Sequence, residues 1–129
     1  INATTYLTGV KAVRGQVSNT TFSALVAETN DGKIYTWGSS TYLGDGSGVA
    51  FRSYATEMTL PDDVKLKGIR MIGVTGGITG GGTTNTYYVL STTGNLYSLG
   101  DNAQRQLGDR GVTNDSIFFF MSSPTKVTL

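Results

Sequence analysis

The stretch most suggestive of chemistry is a glycine run, Gly76-Gly77-Ile78-Thr79-Gly80-Gly81-Gly82. Successive backbone N–H groups in such a run can cradle an anion. A phosphate loop also needs Lys-Ser or Lys-Thr directly after its glycines, and none follows here. The run is therefore expected to be a flexible loop inserted at the edge of a sheet. A second candidate is the set Asp31, Asp45, Asp101, Asp109 and Asp115, each beside glycine or another turn former. Their spacing lacks the alternation of a calcium loop, so turn chemistry is the expectation and no metal is assigned. Glu28 sits among small apolar residues and has no second acid near it in sequence. General acid–base catalysis would need a partner for it, so it is expected at a solvated strand end.

The chain contains neither His nor Cys. That removes disulfides, thiolate nucleophiles, Cys/His zinc sites and every His-based triad. Ser and Lys are common, yet no spacing singles out a nucleophile and its base. No catalytic residue and no cofactor follow from the sequence. What remains is a contact surface. Ile117-Phe118-Phe119-Phe120-Met121 is the most apolar run. It reads either as packing within the core or, if exposed, as a patch for a protein partner.

Lys and Arg number 10 against 9 Asp and Glu in 129 residues. Near balance argues against a nucleic-acid binder with a broad basic face, because neutralising phosphates takes a surplus of cations. No apolar run is long enough to span a bilayer, so no membrane insertion is expected. The chain opens on Ile, so a processed chain or a piece of a longer one is expected.

The elements that must hold these residues come in two copies. Gly32 to Gly38, GKIYTWG, returns as Gly94 to Gly100, GNLYSLG. Asn30-Asp31-Gly32 and Thr92-Thr93-Gly94 supply the tight turn in front of each, where glycine accepts positive φ at little cost. Upstream, Ser23 to Glu28 answers Asn85 to Leu90, and Gly9 to Val13 answers Gly68 to Ile72. Downstream, Leu43-Gly44-Asp45 answers Leu107-Gly108-Asp109, and Ala55 to Leu60 answers Pro124 to Leu129. Stations in the same order at a period of roughly sixty residues are internal duplication. Alternation with period two, abundant glycine (18) and scarce proline (2) make the chain all-β. The expected architecture is two four-stranded antiparallel blades of a β-propeller, residues 1–65 and 66–129. Gly15 to Thr21 is expected as a loop, Thr56 to Leu60 as an outer strand and Pro61-Asp62-Asp63 as a turn. Tyr6 and Leu7 are expected to anchor the leading segment. Tyr35, Trp37, Tyr97 and Leu99 are the expected core.

These residues resemble the regulator of chromosome condensation repeat. The match lies in Asp31-Gly32, Ile34-Tyr35-Thr36-Trp37-Gly38 and Leu43-Gly44 in the first unit. In the second it lies in Gly94, Leu96-Tyr97-Ser98-Leu99-Gly100, Gln106-Leu107-Gly108 and Pro124-Thr125-Lys126-Val127. The resemblance implies seven-bladed propellers of four-stranded blades. Ala24 and Thr86 stand where the family motif has His, and Arg105 where it has Gly, departures that imply a divergent member of bacterial origin. No residues of the family's chromatin or nucleotide-exchange activities carry over.

Together these readings give a non-catalytic scaffold or protein–protein interaction module. It is expected to be a fragment of a larger repeat protein, secreted or at the cell surface, and to self-associate to cover open blade faces. The alternative is a regulatory domain of an enzyme, or part of one, with its active residues hidden among common Ser, Asp and Lys. No nucleic-acid partner is expected, and the protein partner is not named by the sequence.

Overall fold

The computed structural model describes residues 4–18, 21–39, 51–79, 82–101, 107 and 114–120. The duplicated hairpins build two antiparallel sheets of the same plan. Blade one runs β1 (Val10–Ser18), β2 (Thr21–Thr29), β3 (Ile34–Ser39) and β4 (Phe51–Glu57), paired in chain order. A short helix α1 (Asp62–Lys67) follows. Blade two runs β5 (Ile69–Thr79), β6 (Gly82–Ser91), β7 (Leu96–Asp101) and β8 (Asn114–Phe120), again in order. Between the sheets, β1 and β5 approach most extensively. The chain leaves the first sheet at β4 and re-enters the second at β5. This is the arrangement of two neighbouring blades of a propeller, with β1 and β5 as the inner strands.

The copies share two irregularities, while a further one between Gly15 and Val17 has no counterpart in the β5–β6 register. Both inner hairpins carry a bulge at their start, between Val10 and Ala12 and between Ile69 and Met71. A second bulge falls between Thr36 and Gly38, and between Ser98 and Gly100. Both glycines at these bulges have positive φ, 105° and 114°. At Gly100 a Cβ would sit 2.1 Å from the Asn85 carbonyl oxygen, so neither backbone nor space admits a side chain. The β2–β3 and β6–β7 turns share their bonding as well. The Gly32 N–H donates to the Thr29 carbonyl at 3.0 Å, and Gly94 N–H to the Ser91 carbonyl at 3.0 Å.

Several local expectations are revised. The Gly76–Gly82 run is largely strand: Gly77 pairs with Thr84, Ile78 with Thr83 and Thr79 with Gly82, leaving only 80–81 outside the described residues. Threonines opposite the glycines continue the ladder, and a hairpin replaces the expected loop. The same happens at Gly15 to Thr21, where β1 extends to Ser18 and β2 begins at Thr21. The outer strand β4 lies earlier than expected, and Met58 and Leu60 follow it as buried residues of the connection. Pro61-Asp62-Asp63 opens a helix. Its first turn is acidic and its last basic, matching the helix dipole, and Gly68 ends it by donating its N–H to the Val64 carbonyl at 2.8 Å. Val64 is buried against the core. Tyr6 projects into solvent instead of anchoring the leading segment.

The core lies between the blades. Val26 and Ile34 from blade one meet Ile72, Tyr87, Val89, Tyr97 and Leu99 from blade two, with Met58, Leu60 and Val64 sealing the cluster. Tyr97 and Leu99 are therefore core as expected. Tyr35 and Trp37 are only half-buried, because in β3 it is the opposite face, Ile34 and Thr36, that meets the second blade.

Candidate functional site

The residues expected to carry chemistry are scattered. Asp31 lies in the β2–β3 turn, where it accepts a hydrogen bond from the Thr29 hydroxyl. Asp101 ends β7 and Asp115 is in β8, its backbone paired with Gly100, so both are strand residues and not turn residues. Asp45 and Asp109 lie outside the described residues. Among the described residues no group of three or more potential metal ligands forms. Ile117, Phe118, Phe119 and Phe120 fall on β8, the edge strand of its sheet, with the Phe119 backbone opposite Ser98 and Phe120 opposite Tyr97. Met121 lies outside the described residues, as do the β8 side chains.

Glu28 is the residue the sequence misplaces. It is buried between the blades, with its Oε1 2.8 Å from Lys11 Nζ. The partner is supplied by the adjacent strand β1, which a reading along the chain does not bring near. Its copy in blade two is Leu90.

Two polar groupings lie at the turn end of the blades. In blade two, Asp63 of α1 accepts hydrogen bonds from Asn95 Nδ2 at 3.0 Å and Tyr97 Oη at 3.0 Å. These bonds, that of Asn95 foremost, hold the Asp63 carboxyl below its usual range. Burial first, and then the bond to Asp63, pushes the Tyr97 phenol up. In blade one the same stations hold Lys33 and Tyr35, and Lys33 turns to Glu57 at 3.2 Å. That bond raises the Lys33 ammonium above its ordinary value. Beside it opens a cleft of about 250 Å³ lined by Asp31, Gly32, Lys33, Glu57, Met58, Leu60 and Lys65. At neutral pH the arrangement keeps Asp63 and Lys33 charged and Tyr97 protonated. Each group is tied into the frame.

The larger surfaces are the outward faces of the blades. On blade one, register places Val13, Leu25, Ala27, Tyr35 and Trp37 on a single face, away from blade two. On blade two, Met71, Tyr88, Leu90 and Leu96 share the outward face. Both are dominated by apolar side chains. Val13 is 50% and Met71 58% exposed, and Leu25, Tyr35, Trp37, Tyr88, Leu90 and Leu96 are half-buried. Ser98, on the same side as Leu96, is buried, its hydroxyl donating to the Leu107 carbonyl at 2.9 Å. Among the described residues no helix is long and apolar enough to cross a membrane.

This pairing of radiating, four-stranded antiparallel sheets defines a partial β-propeller. Among solved structures, human WBSCR16 shares it, with a TM-score of 0.65 over 93% of this chain at 16% identity. The chain spans 29% of the length of that structure. No protein-family model and no curated protein matches the sequence.

Proposed function

We propose that this chain is a non-catalytic, protein-binding scaffold module of the regulator of chromosome condensation type, two blades of a propeller whose outward faces are completed by further protein. The observation that carries the reading is the pair of outward blade faces, apolar and half-exposed, with their polar neighbours already engaged. A likeness in fold to WBSCR16, an RCC1-like protein more than three times longer, is consistent with it. The perturbed groups also fit a scaffold. General acid–base work wants a pKa drawn toward neutrality, whereas Asp63 is lowered and Lys33 and Tyr97 are raised. Their shifts are those of structural ties.

A photo-crosslinking residue placed at Val13 in the full-length protein, in the cells that make it, tests the reading. Covalent capture of polypeptide is expected at Val13, and little at Leu66, which is 80% exposed on α1 away from either face. Capture of nucleic acid or lipid at Val13, or of nothing, overturns it.

A further inference from the structure

Because the two blades are copies, the contact made once inside the chain shows what each outward face is built to meet. The outward face of blade one occupies the stations that blade two uses to cover blade one: Val13 matches Ile72, Tyr35 matches Tyr97 and Trp37 matches Leu99. The outward face of blade two occupies the stations by which blade one is covered: Leu96 matches Ile34, Tyr88 matches Val26 and Leu90 matches Glu28. Most of these stations stay apolar, with Leu90 replacing the charged Glu28; Ser98 and Ala27 on the two faces are already buried, Ser98 against Leu107, and the rest lack a cover. Ile72 is 5% exposed where Val13 is 50% exposed.

The sizes are complementary too. On its outward face blade one is smaller than its copy at three stations, with Gly15, Leu25 and Ala27 in place of Val74, Tyr87 and Val89, and larger at one, with Trp37 in place of Leu99. Blade two is fuller on its outward face, with Tyr88 and Met71 in place of Val26 and Ala12. It also gains Leu90 where the covered copy carries a charged Glu28. Interfaces conserve total volume when a smaller side is met by a larger one.

Resting on the reading that these faces bind protein, we propose that the outward face of blade one seats the outward face of blade two from a second copy of this chain, head to tail. The contact repeats the one inside the chain, so each copy offers one face of each kind. Such a heterologous contact closes into a ring when the rotation allows. Propellers close at about four to eight blades, so two-blade copies would close as two, three or four chains.

Sedimentation equilibrium of the intact chain, followed with the emission of its only tryptophan, tests the proposal. Assembly to between two and four copies is expected, with Trp37 emission shifting to the blue as mass rises. Val13→Asp and Met71→Asp each spoil one face, at positions too exposed to hold the blade itself together. Either alone is expected to weaken assembly by about 100-fold or more, as when a charge is buried unpaired. Mixed, they retain one intact face of each kind, so a 1:1 heterodimer is expected, and its formation also shows that both variants fold. A chain that stays monomeric at millimolar concentration overturns the proposal. So does a mixture that fails to pair, or a single variant that assembles as well as the parent. Crosslinking of Val13 to a different protein in cells, beside a monomeric purified chain, would sink self-assembly and leave the protein-binding reading standing.

Discussion

Blade one and blade two share strand order, both bulges and the turn geometry, yet they bury opposite sides of the same hairpin. In β3 the buried side chains are Ile34 and Thr36, and in β7 they include Tyr97 and Leu99. Trp37 and Leu99 hold the same station; one is half-buried and the other fully so. The difference teaches that burial in a blade belongs to the contact between blades and not to the strand. A repeat carries two apolar faces, and the neighbour decides which of them becomes core.

The blades also differ in how their turns are tied. Asp63 reaches from α1 to Asn95 and Tyr97, whereas Thr4 stands at the matching station ahead of blade one. Without a carboxylate there, Lys33 takes Glu57 as its partner in an exposed ion pair, beside the turn's own bond from the Thr29 hydroxyl to Asp31.

The comparison breaks hardest at the close approach. Gly100→Ala, which drives a Cβ into the Asn85 carbonyl, is expected to destabilise by about 3–5 kcal/mol. Gly94→Ala has positive φ but open space and should cost about 1–2 kcal/mol. Equal losses in urea melts would show that backbone conformation alone matters.

Next comes the shared station. Leu99→Ala is expected to cost about 2–5 kcal/mol. Trp37→Ala, in dilute solution, should cost only about 1–2 kcal/mol, since its ring is partly solvated. If Trp37→Ala proved the more damaging, blade one would have a covered outer face and the assignment of sides would be wrong.

A smaller effect separates the turns by pH. Asp63 is lowered in the folded state, so its stabilisation is present above the ordinary carboxylate value of 3.8 and is lost as pH falls through the folded value. Asp63→Asn should lower stability at neutral pH and flatten the loss in acid. An unchanged acid profile would show that the network contributes nothing to holding α1 on blade two. In base the sign reverses. Tyr97 and Lys33 are raised, so their contributions hold below 10.0 and 10.5 and fade as pH climbs through the folded values. Lys33→Met, removing an exposed pair, should barely move the melting temperature at pH 7. A large drop would mean that the charged cleft organises blade one.

Much of this was legible in the residues themselves. The paired GKIYTWG and GNLYSLG stretches and their Asp-Gly or Thr-Gly turns dictate hairpins through local sterics, and period-two alternation dictates strands. The register follows, and with it two four-stranded sheets. What local rules could not reach were the properties set by atoms far apart in sequence. The glycine run becomes strand because threonines across the hairpin extend the ladder. Asp62 to Lys67 becomes helix because Val64 finds the inter-blade core and Asp63 finds the β6–β7 turn and β7. Glu28 is drawn inside because Lys11 on a neighbouring strand meets its charge. The choice between Ile34 and Tyr35 as the buried side lay wholly with tertiary packing: alternation marks both faces of a strand as apolar, and only the placement of the second blade removes water from one of them.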